Sequence, residues 1–123
     1  MRLEIPFPPS VNTYWRHPNK GKLAGRHLIS EKGRTYRKDV WHLITSLKLK
    51  KWVGPVCVQI YAYMPDKRRR DLDNILKACL DSLTYAGVWE DDYQIDELFI
   101  KRMPKLGGFL TVEITQGEEI DAR

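Results

Sequence analysis

Hydrophobic and polar residues alternate along several stretches of the chain, and a two-residue period is typical of β-strands. It predicts strands over residues 2–7, 56–64 and 109–115, and a less regular strand over residues 95–103. The 56–64 stretch has apolar or aromatic residues on both faces, so we expect it at the centre of the sheet. The glycine-containing segment 104–108 is predicted to join the last two strands as a hairpin.

Two other stretches carry apolar residues every three or four positions, which is the period of an α-helix. The first helix is predicted from Ser30, a favoured N-cap residue, to about Lys48. The second follows an apolar stripe over residues 72–83 and ends at Gly87. Four antiparallel or mixed strands and two helices, with no internal repeat or linker, predict one α+β domain over residues 1–123.

Composition places the chain among ordinary globular proteins, with 42% hydrophobic and 30% charged residues. No apolar run is long enough to cross a bilayer, and the N-terminus lacks the hydrophobic region of a signal peptide. We therefore expect a cytoplasmic protein without a membrane partner. Cys57 and Cys79 fall singly in apolar segments, which favours buried thiols over zinc ligands or a disulfide. The three histidines follow no metal-ligand spacing, and no organic cofactor is expected.

Charge divides the chain more sharply than its net value of +5 suggests. Residues 1–70 hold 16 Lys and Arg against 4 Asp and Glu, whereas residues 71–123 hold 5 against 12. A basic half suits a polyanion such as nucleic acid, and an acidic half with clustered carboxylates suits a cation. Two merely solvated faces are the alternative.

The sign of the charge changes inside one stretch, residues 67–77, with the sequence KRRRDLDNILK. Asp71 and Asp73 repel each other when they lie close together, and a hard divalent cation removes that cost. On one continuous helix they would point apart, so they converge only if Asp71 belongs to the preceding loop and Asp73 to the first helical turn. Helix capping explains one of them, and an i, i+4 ion pair between Asp73 and Lys77 is a simpler alternative for that pair.

A second group of carboxylates, at residues 90–92, follows one helix length later. A crossover from the central strand through the helix to a neighbouring strand would bring this group to one end of the sheet, and the sequence leaves open which end. An exposed acidic turn is the alternative. Asp81, between the two groups, is expected to face solvent, and so is the basic face of the first helix, which carries Arg37.

Residues 10–17 mix aromatic, amide and basic side chains ahead of a loop. Aromatic rings beside arginines in a loop can stack on bases while the cations meet phosphates. The alternative is that the aromatic side chains anchor the loop to the core.

Taken together, these segments resemble the RusA family of Holliday-junction resolvases, small endonucleases that cut four-way DNA junctions. The resemblance covers nearly the whole chain. It includes PPSVNTYWRH at 8–17, MPDKRRRDLDN at 64–74, Lys77, AGVWEDD at 86–92 and KRMP at 101–104. It implies a mixed α/β fold, a homodimer, and magnesium or manganese as the cofactor.

By motif position, the three catalytic aspartates and the lysine of that family correspond to Asp71, Asp73, Asp92 and Lys77. Neighbours in an extended segment face opposite ways, so only one of Asp91 and Asp92 should join the site. The resemblance selects Asp92. Magnesium held by the aspartates would activate a water and stabilise charge on the phosphate, and Lys77 would neutralise charge on the phosphate or the leaving oxygen. DNA contacts are expected from Asn12, Arg16, Lys67, Arg68, Arg69 and Arg70.

The sequence thus predicts a metal-dependent, structure-selective DNA endonuclease that nicks junctions symmetrically, as a dimer with two sites on one face. Folding is expected to gather three carboxylates from separate segments into one cation pocket beside an arginine-lined surface. One alternative is a nucleic-acid-binding module without catalysis, in which the acids cap helices and balance the arginines. Another is a nuclease for other branched or single-stranded DNA, or for RNA.

Overall fold

The alternating stretches form a four-stranded mixed sheet, and the helical stretches pack on it. The computed structural model describes residues 1–16, 21–22, 25 and 28–119. Its elements are β1 (Arg2–Pro6), α1 (Val11–Tyr14), β2 (Trp15–Arg16), β3 (Leu28–Ile29), α2 (Glu31–Leu47), β4 (Val56–Tyr63), α3 (Asp73–Tyr85), a 3-10 helix (Asp92–Gln94), β5 (Ile95–Arg102) and β6 (Phe109–Gln116). The predicted α+β class is confirmed.

The sheet has the strand order β1-β6-β4-β5, and β2 pairs with β3 in a separate two-stranded sheet. β4 is central, as predicted, because it pairs with β6 antiparallel and with β5 parallel. At the middle of the sheet, Ile60 of β4 lies opposite Val112 of β6 and Ile100 of β5. α3 provides the crossover that a parallel β4–β5 pair requires.

The predicted hairpin between β5 and β6 is wrong, because β4 lies between these two strands. The 104–108 connection instead passes over the end of β4. There Gly107 and Gly108 donate their backbone N–H groups to the carbonyls of Met64 and Tyr63, at 2.9 and 2.8 Å. Gly108 has a φ of +84°, a conformation that glycine adopts without strain.

One hydrophobic core joins the sheet to α2 and α3. It contains Ile60, Val112, Val40 and Leu83, each 0% exposed, from β4, β6, α2 and α3 respectively. Ser30 caps α2 as predicted, with its side chain accepting a hydrogen bond from the N–H of Gly33. The burial of these apolar stripes explains why the periodic segments fold where the sequence places them.

α1 is a third helix that the sequence analysis did not predict. It has only four residues and begins after Ser10, whose side chain accepts a hydrogen bond from the N–H of Thr13. Tyr14, its last residue, is 0% exposed, so the anchoring alternative holds for this ring. α2 packs closely against it, since a Cβ atom added to Gly33 would lie 2.5 Å from the carbonyl oxygen of Tyr14.

β5 forms one edge of the sheet and leaves two large apolar side chains exposed. Among the described strands it pairs with β4 alone. Leu98 is 43% and Phe99 is 48% exposed, in the middle of the strand. A long edge strand with exposed apolar residues and free backbone groups is a surface on which a further strand can pair.

Three smaller expectations concern cysteines, histidines and membrane segments. Cys79 is fully buried, and burial raises the pKa of its thiol to about 12, whereas Cys57 is partly exposed. His42 is exposed, and His17 and His27 lie outside the described residues. In the described parts of the chain, we find no helix both long and apolar enough to span a membrane.

Candidate active site

Asp66 organises the basic loop between β4 and α3. Its carboxylate accepts hydrogen bonds from both terminal nitrogens of Arg70, at 2.5 and 3.1 Å, and from the backbone N–H of Arg68 at 2.8 Å. The bonds from Arg70 are the main reason why the pKa of Asp66 lies well below its ordinary value. This role was not predicted from the sequence, because an i, i+4 spacing indicates an ion pair only on a helix and residues 66–70 form a loop.

The predicted DNA-contacting residues therefore fall into two groups. Arg70 is half-buried, with its guanidinium 5.7 Å from the ring centre of Phe7, so it supports the loop as much as it presents charge. The exposed group is Asn12, Arg16, Lys67, Arg68 and Arg69. Arg68 and Arg69 also line a cleft of about 460 Å³ with Lys32 and Asn74, at the N-terminal end of α3.

Asp71 and Asp73 occupy the backbone positions that convergence of their carboxylates requires. Asp71 lies in the loop, and Asp73 is the first residue of α3, where the helix N-terminus favours negative charge. Both side chains are exposed. Within the described residues, neither carboxylate has a hydrogen-bond donor or a cation as partner, so both remain available to an added cation.

Lys77 does not form the alternative ion pair with Asp73 within the described residues. Its ammonium nitrogen lies 5.8 Å from the ring centre of Trp15, a cation–π geometry. Trp15 in turn meets the buried ring of Tyr14 edge to face, with 5.4 Å between ring centres. The aromatic segment before Arg16 thus positions the lysine on the same side of α3 as α1.

Asp81 does not face solvent as expected, because it joins three helices. Its carboxylate accepts hydrogen bonds from the hydroxyl of Tyr14 on α1 and from Arg37 on α2, the latter at 2.8 Å. Its side chain is 27% exposed and that of Arg37 is 23% exposed. Burial, and then the hydrogen bond to Asp81, raises the pKa of Tyr14 to about 12, so its hydroxyl stays protonated and donates.

Replacing Asp81 should destabilise the fold more than removing the hydroxyl it binds. Asp81→Ala leaves Arg37 without its anion and Tyr14 without its acceptor, and we expect a loss of about 3 kcal/mol in the free energy of unfolding. Tyr14→Phe removes one hydrogen bond and should cost about 1 kcal/mol. Urea denaturation measures both, with Asp39→Ala, an exposed acid on α2, as the control. Equal losses in the two variants would contradict this role of Asp81.

The acidic turn before β5 is held by one side chain. Gln94 accepts hydrogen bonds from the N–H groups of Glu90 and Asp91, at 2.8 and 3.1 Å, and donates to the carbonyls of Trp52 and Gly54. With Asp91 as N-cap this is a capping box, whose D-x-x-Q pattern the sequence analysis overlooked. These hydrogen bonds fix the segment as a capped 3-10 turn, so it is not an extended strand.

Only one carboxylate of that turn remains unused in the described structure. Glu90 pairs with Lys51 at 2.8 Å, and Asp91 accepts a hydrogen bond from the N–H of Tyr93 at 2.9 Å. Asp92 is exposed and has no partner for its carboxylate among the described residues. It is thus the member of the cluster that remains available for another role.

Asp92 lies at the opposite end of the sheet from Asp71 and Asp73. It comes just before β5, whose first residue pairs with the first residue of β4. At the far end of β5, Arg102 donates a hydrogen bond to the carbonyl of Arg70, next to Asp71. Seven steps along a strand span about 23 Å.

Within one protomer the three carboxylates are therefore not gathered, and the expected cation pocket does not form from a single chain. No group of three or more acidic, cysteine or histidine side chains suited to a metal occurs among the described residues. The physical reason is the parallel crossover, which returns the chain through α3 to the beginning of the next strand. One protomer alone does not fit a cation held by three carboxylates.

A basic loop, a pair of available carboxylates and a lysine near one helix N-terminus are the groups that a protein hydrolysing the phosphodiester bonds of nucleic acid needs. Comparison with known protein families identifies the family to which the chain belongs. The model described as Endodeoxyribonuclease RusA matches residues 6–115, and the chain belongs to this family.

Curated relatives match almost the whole chain. The crossover junction endodeoxyribonuclease rusA of Enterobacteria phage HK97 is 46% identical over 118 residues, which cover 94% of each chain. The RusA proteins of Shigella sonnei (strain Ss046) and Escherichia coli (strain K12) are 42% and 41% identical over 116 residues, covering 93% of this chain and 92% of each relative. The family resemblance drawn from the sequence motifs is confirmed.

Proposed function

We propose that this protein is an endodeoxyribonuclease that resolves four-way DNA junctions by paired symmetric nicks. The observation that carries the proposal is the pair Asp71 and Asp73 with Lys77 at one helix N-terminus, beside the basic loop, in a RusA-family chain. Its relatives are named crossover junction endodeoxyribonucleases. Its proposed DNA substrate is consistent with action in the cytoplasm of a bacterial cell, since the relatives come from bacteria and a bacteriophage.

A homodimer paired through β5 supplies the missing carboxylate. If two β5 strands pair antiparallel about a two-fold axis, the beginning of one strand lies beside the end of the other. The partner subunit's Asp92, just before its own β5, then approaches the end that carries Asp71 and Asp73. The same operation builds a second, equivalent site, which two nicks require.

The sequence of β5, IDELFIKR, suits such self-pairing. Its first half carries the acids Asp96 and Glu97, and its second half carries Lys101 and Arg102. Antiparallel pairing places the acidic half of one strand against the basic half of the other, and opposite charges across strands are favourable. The exposed Leu98 and Phe99 would be covered at the centre of the interface.

In this dimer, Asp71, Asp73 and the partner subunit's Asp92 would hold magnesium or manganese, since carboxylate oxygens are the ligands these cations prefer. When bound, the cation supplies Lewis-acid stabilisation of the negative charge on the attacked phosphate. Lys77, beside Asp73 on α3, neutralises charge on the phosphate or on the leaving 3′ oxygen. Arg68 and Arg69 hold the flanking backbone phosphates, which gives affinity without sequence preference.

Cleavage of a synthetic four-way junction tests the proposed function. We expect paired nicks at symmetric positions with magnesium or manganese and none in EDTA, because the carboxylates need a cation to act on an anionic phosphate. Linear duplex, flap, single-stranded DNA and RNA of matched length are the comparison substrates. Binding of the junction without cutting under either metal would favour a non-catalytic binding module, and equal rates on linear duplex would exclude the resolvase function.

A further inference from the structure

An aromatic groove lies between α2 and the C-terminal end of α3, away from the residues described above as catalytic. It has a volume of about 390 Å³ and is lined by Arg34, Arg37, Lys38, Trp41, His42 and Tyr85. Trp41 is 40% and Tyr85 is 56% exposed. Its lining, among the described residues, contains no acidic side chain, so it combines exposed rings with positive charge.

Neighbouring side chains hold both rings from one side. The guanidinium of Arg37 lies 4.6 Å from the ring centre of Tyr85, and Asp81 fixes that guanidinium through the 2.8 Å hydrogen bond. The ring of His42 meets Trp41 edge to face, with 5.0 Å between ring centres. Each aromatic ring is thus supported while much of its surface remains open to solvent.

Both ends of α3 have positive side chains from α2 beside them. Lys32, at the beginning of α2, lines the same cleft as the basic loop, whereas Arg34 and Lys38 lie on another face of α2 and line the groove. Tyr85 is the last residue of α3 and Asp73 the first. Twelve residues of helix span about 18 Å, or about five base steps of a DNA strand.

We propose that this groove is a second DNA site, which stacks an unpaired base of a single-stranded segment on Trp41 and Tyr85. Arg34 and Lys38 contact the flanking phosphates. Stacking on aromatic rings beside cations is how proteins bind single strands without reading their sequence. The choice of DNA as the ligand rests on the proposed function, because a nuclease that acts on DNA already binds this polyanion. An acidic protein segment would use the cations but gain little from two exposed rings.

Binding of fluorescently labelled ten-nucleotide oligothymidine, in EDTA, tests the proposal. We expect Trp41→Ala with Tyr85→Ala to bind about tenfold more weakly than wild type, the effect of losing one stacked base. Trp41→Phe should retain most of the affinity. Val53→Ala, which shortens an apolar side chain that is 79% exposed elsewhere, is the matched control. Binding of the double variant within twofold of wild type would overturn the proposal.

A second pair of variants tests the cations without altering the rings. Arg34→Gln with Lys38→Gln should reduce the slope of log affinity against log salt by about 1.4, since each phosphate contact on a single strand contributes about 0.7. An unchanged slope would overturn the phosphate contacts. Decaglutamate that competes as strongly as oligothymidine would also overturn the proposal, because it would indicate a site for acidic protein.

The nicking assay separates this proposal from the proposed function. A junction with fully paired arms should be nicked by the Trp41→Ala, Tyr85→Ala variant within twofold of the wild-type rate. If wild type nicks junctions but binds oligothymidine independently of the rings, only the groove proposal fails. If wild type does not nick junctions but its oligothymidine binding depends on the rings, the groove stands and the nuclease function fails.

Discussion

Asp71→Asn and Asp92→Asn proteins, each inactive alone, are expected to recover junction nicking when their subunits are mixed. In a mixed dimer built through β5, one site combines both substitutions and the other combines none. The second site is wild type, because it takes Asp71 from the Asp92→Asn chain and Asp92 from the Asp71→Asn chain. Half of the dimers in an equimolar random mixture are mixed, so about a quarter of the wild-type number of sites should be active.

A matched mixture provides the control. Asp71→Asn with Asp73→Asn should show no recovery, because these two residues come from one chain at every site and each site therefore keeps one defect. Nicking is measured on labelled four-way junctions after the subunits are mixed under conditions that exchange them. If Asp71→Asn and Asp92→Asn also failed to recover activity in proven mixed dimers, the shared site would be excluded.

The edge strand offers an independent measurement of the same arrangement. Leu98→Asp with Phe99→Asp places like charges at the centre of the proposed interface, and we expect a monomer that does not nick junctions. Val53→Asp adds a charge at a more exposed apolar position outside β5 and should leave both properties unchanged. Analytical ultracentrifugation gives the oligomeric state. A dimeric double variant would place the interface elsewhere.

Asp73→Asn is expected to lower the single-turnover nicking rate by about a thousandfold while leaving junction binding nearly intact. The substitution removes a charged ligand and keeps the shape of the side chain, and about 4 kcal/mol of transition-state stabilisation corresponds to this factor. Lys77→Met should lower the rate by about a hundredfold, because it removes one cation near the developing charge. Binding depends mainly on the basic loop and should persist in both variants.

Asp91→Asn is the control for these variants. The Asp91 side chain caps the turn, and asparagine is an equally good N-cap. The nicking rate of Asp91→Asn should therefore stay within about threefold of wild type. If Asp73→Asn kept a tenth or more of the wild-type rate, Asp73 would not be a ligand. If Asp91→Asn were as inactive as Asp92→Asn, the assignment of Asp92 would be wrong.

Long periodic segments could be predicted from the sequence because burial of an apolar stripe determines them. β4, α2 and α3 lie where their periods place them, and the loop position of Asp71 followed from helix geometry together with the requirement that its carboxylate converge with that of Asp73. α1 was missed because four residues are too few to show a period. Its Ser10-x-x-Thr13 cap was the only local signal.

The errors concern relations between distant segments. The chain does not reveal that β4 separates β5 from β6, since the loop that joins them looks like a hairpin loop. The crossover was predicted, but its direction relative to the carboxylates was not, so the separation of Asp92 from Asp71 was missed. Asp81 looked solvent-exposed because its partners, Tyr14 and Arg37, lie 67 and 44 residues away in sequence.

The open edge of β5 has a consequence for dosage. If two subunits complete each site as proposed, a lone subunit lacks one of the three carboxylates, so below the dissociation constant of the dimer the cutting rate should rise with the square of the protein concentration. A cell with few copies would then be spared stray breaks in its chromosome. At high expression, in contrast, the cutting rate would rise steeply with protein concentration, and no separate inhibitor would be needed to keep it low at low expression.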